Sequence, residues 1–114
     1  MTGWSRGNGR LPRRSAAAEL MDGGGIGDDE FARCLRELER INRLTLAYRP
    51  TLRWLDRLVR AHPPASLPGG RLRILDVGSG GGDGLRRIAR WAGRMGVPVE
   101  LTGVDLNPQA ARAA

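Results

Sequence analysis

Apolar positions recur along this chain in two alternating rhythms, and the order of those rhythms predicts its elements. Phe31, Cys34, Leu35, Leu38, Ile41 and Thr45 follow one another at spacings of three and four, which predicts an amphipathic helix. Asp28-Asp29-Glu30 places negative charge at its amino end, where the helix dipole favours it. Arg36, Glu37, Glu39, Arg40 and Arg43 fill the opposite side and can pair locally. Pro50 either kinks this helix or opens a second one, whose own stripe is Leu52, Leu55, Leu58 and Val59. Two such helices would pack as a hairpin or onto a sheet. The run from His62 through Pro63, Pro64, Ala65, Ser66, Leu67 and Pro68 to Gly69-Gly70 breaks all periodicity and predicts a linker.

Beyond the linker the rhythm shortens. Ile74, Leu75 and Val77 form a compact apolar run, which predicts a strand covered on both faces. Helical spacing returns with Leu85, Ile88, Ala89, Ala92 and Met95, and Gly96 followed by Pro98 stops it. Val99 to Asp105 is a second strand, and Asn107-Pro108 supplies a cap and first-turn pair for a further helix. From Arg71 the order is strand, helix, strand, helix start, which predicts an α/β fold built on a βαβ unit with a right-handed crossover. The chain thus divides into a basic, glycine-rich tail over 1–27, a helical cap over 28–62, the linker over 63–70 and an α/β segment over 71–114. Residues 1–27 lack periodicity and read as a loosely ordered tail, with Met21 available as an alternative start of translation.

Composition changes this picture little. In 114 residues there is room for one modest domain, and no apolar run reaches the roughly 18 residues that span a bilayer. With no secretory h-region near the amino end, a cytoplasmic location is the default. The net charge of +7 invites a nucleic-acid partner. All the basic residues, however, are arginine, a bias typical of GC-rich coding, and most alternate with acids along helices. Composition therefore argues against a dedicated nucleic-acid surface and says nothing of oligomeric state. Cys34 is alone, which excludes an intramolecular disulfide and a cysteine-based metal site. His62, the single histidine, stands at a helix end, where a surface role beside the dipole explains it without catalysis.

The chemistry concentrates where the first strand ends. Asp76-Val77-Gly78-Ser79-Gly80-Gly81-Gly82-Asp83 is a glycine turn between strand and helix, the position at which open α/β sheets bind ligands. A dinucleotide fingerprint, G-x-G-x-x-G/A, needs a small residue at position 83 or 85, and Asp83 and Leu85 stand there. A carboxylate at Asp83 would also repel a pyrophosphate. Ser79 lacks a nucleophile-elbow setting and a His–Asp partnership, so it reads as a loop residue able to hydrogen-bond a ligand.

Taken together, Asp76-x-Gly78-x-Gly80-x-Gly82 and Asp105 at the end of the second strand resemble the first motif and the acidic second-strand motif of class I S-adenosylmethionine-dependent methyltransferases. The resemblance covers about residues 71–114. It implies the start of a Rossmann-like, doubly wound sheet preceded by amino-terminal cap helices, with S-adenosylmethionine as cofactor and a small molecule as methyl acceptor. It further implies that Asp76 lies near the amino-acid end of the cofactor, and that Gly78, Gly80 and Gly82 let the backbone pass close to it. Asp105 would accept from the ribose hydroxyls, and Leu106 would lie beside the adenine. The family's sheet has seven strands and only the first two are present here, so the chain reads as a truncated form, suited to binding rather than turnover. No residue is assigned as catalytic base. A non-catalytic module whose exposed sheet edge pairs with a partner, and a fragment of an NAD-dependent oxidoreductase, are the competing readings.

Overall fold

The computed structural model describes Gly25 and residues 27–114; the tail expected over 1–27 and the start at Met21 fall almost wholly outside them. Two helices come first, α1 (Asp28–Leu44) and α2 (Arg49–Ala61). Two short 3-10 turns at Pro64–Ser66 and Pro68–Gly70 follow, then strand β1 (Leu72–Val77), helix α3 (Asp83–Met95), strand β2 (Val99–Val104) and helix α4 (Pro108–Ala113). The linker is therefore two tight turns rather than an unstructured run. Pro50 opens α2 rather than kinking α1, because its missing N–H costs nothing in a first turn. Thr45 lies just past α1, with Oγ1 donating to the Ile41 carbonyl at 2.9 Å.

β1 and β2 pair in parallel, Leu72 opposite Val99 through Val77 opposite Val104, with α3 as the connection. The chain is thus an α/β protein containing a βαβ unit. Its core joins α2, α3 and one face of the sheet: Leu55 and Val59 from α2, Leu72 from β1, and Ile88, Trp91 and Ala92 from α3. Ile74, Val99 and Leu101 extend the same face. Trp91, rather than Ala89 or Met95, completes the α3 stripe, and its indole N–H donates to Asp56 Oδ1 of α2 at 2.8 Å. That bond lets an amphipathic ring be buried without stranding its donor.

The expectation that β1 is covered on both faces is not met. Leu75 and Val77 are 61% and 76% exposed, because α2 and α3 lie on the same side of the sheet and alternate strand residues point to opposite sides. α1 is also less buried than its stripe predicts. Only Phe31 is fully buried, while Leu38 and Ile41 remain about half exposed.

One close approach sets the connection between sheet and loop. A Cβ at Gly103 would lie 2.7 Å from Ser79 Oγ and 2.9 Å from Leu85 Cδ1, so β2 is bare where the loop and α3 cross it. Gly93 on α3 is its opposite, with open space where a Cβ would stand. Gly103→Ala should therefore destabilise by about 1–3 kcal/mol through overpacking. Gly93→Ala should stabilise by about 0.5–1 kcal/mol, because a helix interior favours alanine over glycine. Thermal unfolding of the two variants checks this, and a Gly103→Ala protein as stable as wild type would contradict the packing.

Candidate functional site

The glycine turn is shaped by backbone conformations that side chains resist. Gly78, Gly80 and Gly82 have φ of 78°, 52° and 74°, in the left-handed region where only glycine sits without strain. Three bonds tie the turn to the end of β2. The N–H groups of Gly78 and Ser79 both donate to the Val104 carbonyl, at 2.8 and 3.1 Å. The Gly80 N–H donates to Asp105 Oδ2 at 2.9 Å. Asp105 Oδ1 accepts from the Asn107 N–H, also at 2.9 Å, and Asn107 in turn caps α4 by accepting from the Gln109 N–H. One carboxylate thus joins the glycine turn to the start of α4.

Above the turn is a cleft of about 350 Å³. Asp76, Gly78, Ser79, Gly80 and Asp105, five of the residues that the sequence pattern singles out, line it from the sheet side. The remaining two residues of that pattern lie elsewhere. Gly82 is the residue before α3, with Arg86 beside it. Leu106 is 99% exposed and lines a separate hollow with Val77, Gly78, Val104 and Asp105. Gly78 and Asp105 form the shared wall of the two depressions.

Helix α1 supplies the roof. Phe31, Leu35 and Leu38 line the cleft, and a Cβ at Gly80 would come within 3.4 Å of Leu35 Cδ2. Polar ties hold this helix at both ends. Near its start Asp28 accepts from Gln109 and Arg112 of α4, and these bonds lower the Asp28 pKa. Farther along, Glu39 pairs with Arg86 of α3 at 3.2 Å, while Arg86 also donates to the Gly81 carbonyl at 2.6 Å. The helical spacing of Phe31, Leu35 and Leu38 shows that they share a face, but nothing in it shows that the face lies over a loop some forty positions away.

Two further residues of the cleft escaped the sequence reading. Tyr48, between α1 and α2, donates from its hydroxyl to Asp83 Oδ2 at 2.6 Å and accepts from Asn42 Nδ2 at 3.3 Å. A lone tyrosine in a short inter-helix segment carries no spacing signal. Its partner Asp83 does stand out in sequence, as the acid that a pyrophosphate loop would not tolerate.

The cleft is acidic. Among the described residues, Asp76, Asp83 and Asp105 line it and no arginine or histidine does, in a chain of net charge +7. A cationic ligand suits such a site, and a pyrophosphate would face repulsion there. Among the described residues no group of three or more His, Cys, Asp and Glu side chains is arranged to hold a metal ion. Nor is any helix among them long and apolar enough to cross a membrane.

Burial, the hydrogen bond to Asp83 and the charge of that carboxylate push the Tyr48 phenol up to about 12. An unfolded tyrosine ionises near about 10. The folded state therefore keeps a proton that the unfolded state releases. The resulting stabilisation is complete below about pH 10 and is lost as pH rises toward about 12. Tyr48 is the only tyrosine, so phenolate absorbance reports it alone. The midpoint should lie near about 12 in the native protein and fall in Asp83→Asn; a wild-type midpoint near about 10 would contradict the pairing.

No protein-family model, curated protein sequence or solved structure matches the chain.

Proposed function

We infer that the cleft over the glycine turn is a cofactor site for S-adenosylmethionine, and that the protein belongs to a system transferring a methyl group to a small-molecule acceptor. The observation that carries this reading is the set of three carboxylates, Asp76, Asp83 and Asp105, around a glycine turn at the carboxyl ends of two parallel strands, with no cationic side chain among the described residues that line the cleft. The cofactor's sulfonium and ammonium groups are cations, so the donor set fits it, whereas the pyrophosphate of a dinucleotide would meet only repulsion. The larger doubly wound sheet implied by the resemblance belongs to this same reading.

Each residue then has a task. The left-handed backbone at Gly78 and Gly80 keeps Cβ atoms out of the ligand's path. Asp105 already accepts one backbone N–H on each oxygen. A carboxylate offers about four lone-pair sites, so two remain for the ribose hydroxyls. The second hollow, beside Leu106, lies across the shared wall of Gly78 and Asp105, and its Val77, Val104 and Leu106 side chains suit the adenine. Asp76 faces the opposite, amino-acid end. When bound, the cofactor supplies an electrophilic methyl carbon, and the protein's part is to orient it and exclude water, work to which the apolar roof of Phe31, Leu35 and Leu38 is suited. No side chain of the cleft is assigned as a general base.

A second reading, an interaction module, draws support from the open sheet face, where Leu75 and Val77 are exposed. It is compatible with cofactor binding and makes turnover dispensable.

Calorimetric titration with S-adenosylhomocysteine and with NAD tests the proposal. Heat of binding with S-adenosylhomocysteine and none with NAD is expected; the reverse would overturn it. Asp105→Ala removes the ribose acceptor and the Gly80 anchor together, and should weaken S-adenosylhomocysteine about tenfold or more.

A further inference from the structure

The arginines of α2 serve neither the core nor the cleft. Arg49, Arg53 and Arg57 recur every four residues, Arg60 follows three further on, and all four are exposed. Each four-residue step advances about 6 Å along a helix, so the guanidiniums stand in a row. Among the described residues the ion pairs use Arg71, Arg73, Arg86 and Arg112, and none of this row. Asp56 is the one acid on α2, and its carboxylate accepts from Trp91 of α3. The alternation of arginine with acid, which tells against a nucleic-acid surface in the chain as a whole, therefore fails on this helix.

The row borders a groove. Leu46 and Trp54 join Arg49, Arg53 and Arg57 in lining a hollow of about 500 Å³, which shares no residue with the cleft over the glycine turn. Trp54 is 59% exposed and Leu46 56%. Among the described residues Tyr48 alone has a guanidinium over its ring, so the Trp54 indole carries none despite its arginine neighbours. Leu46 has a φ of 55°, left-handed backbone that strains a residue with a Cβ. Strain of this kind collects at ligand clamps, and here it sets an apolar side chain on the groove wall.

A row of cations beside an open aromatic face selects its ligand. A single nucleic-acid strand offers one anion per nucleotide to the guanidiniums and a π-face to the indole, the combination that holds strands without sequence preference. An acidic peptide would satisfy the arginines and leave the indole without a stacking partner. An anionic membrane would need Trp54 and Leu46 to project beyond the arginines, whereas they line a recess with them. We propose that the α2 groove binds single-stranded nucleic acid, with phosphates on Arg49, Arg53 and Arg57 and a base stacked on Trp54. Binding here requires nothing of the cofactor cleft.

Fluorescence anisotropy of a labelled oligothymidylate of about 12 nucleotides, titrated with the full chain, tests this. Binding is expected, and it should weaken as salt rises from about 50 to about 200 mM. Trp54→Ala should weaken it about tenfold, and Trp54→Phe, which keeps a stacking face, should restore most of the loss. Arg53→Gln should flatten the slope of log affinity against log salt by about 0.7. Arg94→Gln, at an exposed position of α3, should leave affinity and slope unchanged. No binding by wild type, or a loss from Arg94→Gln equal to that from Arg53→Gln, would overturn the groove as the site. A Trp54→Phe protein as weak as Trp54→Ala would overturn the stacking. Poly-glutamate or phosphatidylserine vesicles bound as tightly as the oligonucleotide would assign the groove to an acidic protein or a membrane instead.

Discussion

The site depends on the hold that the end of β2 has on the glycine turn. Val104 accepts two N–H groups of the turn, and Asp105 accepts a third while also fixing Asn107 at the start of α4. Parallel pairing brings both strand ends to the same edge, and bare Gly103 lets Ser79 and Leu85 lie across β2. Without that contact the left-handed glycines would have no reason to choose one conformation. Each glycine gives up much conformational freedom on ordering, and the bonds to Val104 and Asp105 are what offset it locally.

Charge then decides what the ordered turn can receive. The chain is strongly basic, yet the described arginines nearest the cleft, Arg86 and Arg87, are turned to other uses. Arg86 bridges Glu39 and the Gly81 carbonyl, and the Arg87 guanidinium lies 5.4 Å from the centroid of the Tyr48 ring. The cleft itself keeps three carboxylates and one phenol that holds its proton. The same Asp83 that makes a dinucleotide fingerprint incomplete in sequence ties the cap to α3 in three dimensions.

Much of the architecture was legible from spacing alone. The βαβ order, the break at the linker, Asn107 as a cap and the glycine turn with Asp105 across from it all follow from local rules of periodicity and turn chemistry. What was not legible is tertiary. The apolar run Ile74, Leu75 and Val77 has the composition of a strand buried on both sides, but composition does not say how many helices lie on each face, and here both α2 and α3 choose one. The stripe of α1 gave its direction around the helix without its partner, which is the glycine turn rather than a core. Tyr48 and Asn42 gave no signal, since their role arises only from a hydrogen bond spanning 35 positions to Asp83. Gly103 likewise looks like an ordinary strand glycine until Ser79 is seen above it.

The central claim is that a cationic nucleoside cofactor lies on the turn between β1 and α3, bounded by Asp105. Amide NMR of the protein titrated with S-adenosylhomocysteine tests it most directly, because the turn's N–H groups report a ligand wherever it touches the backbone. The largest shifts are expected at Gly78, Ser79, Gly80, Asp105 and Leu106. Shifts confined to residues outside the cleft and the Leu106 hollow, with the turn unmoved, would contradict the account.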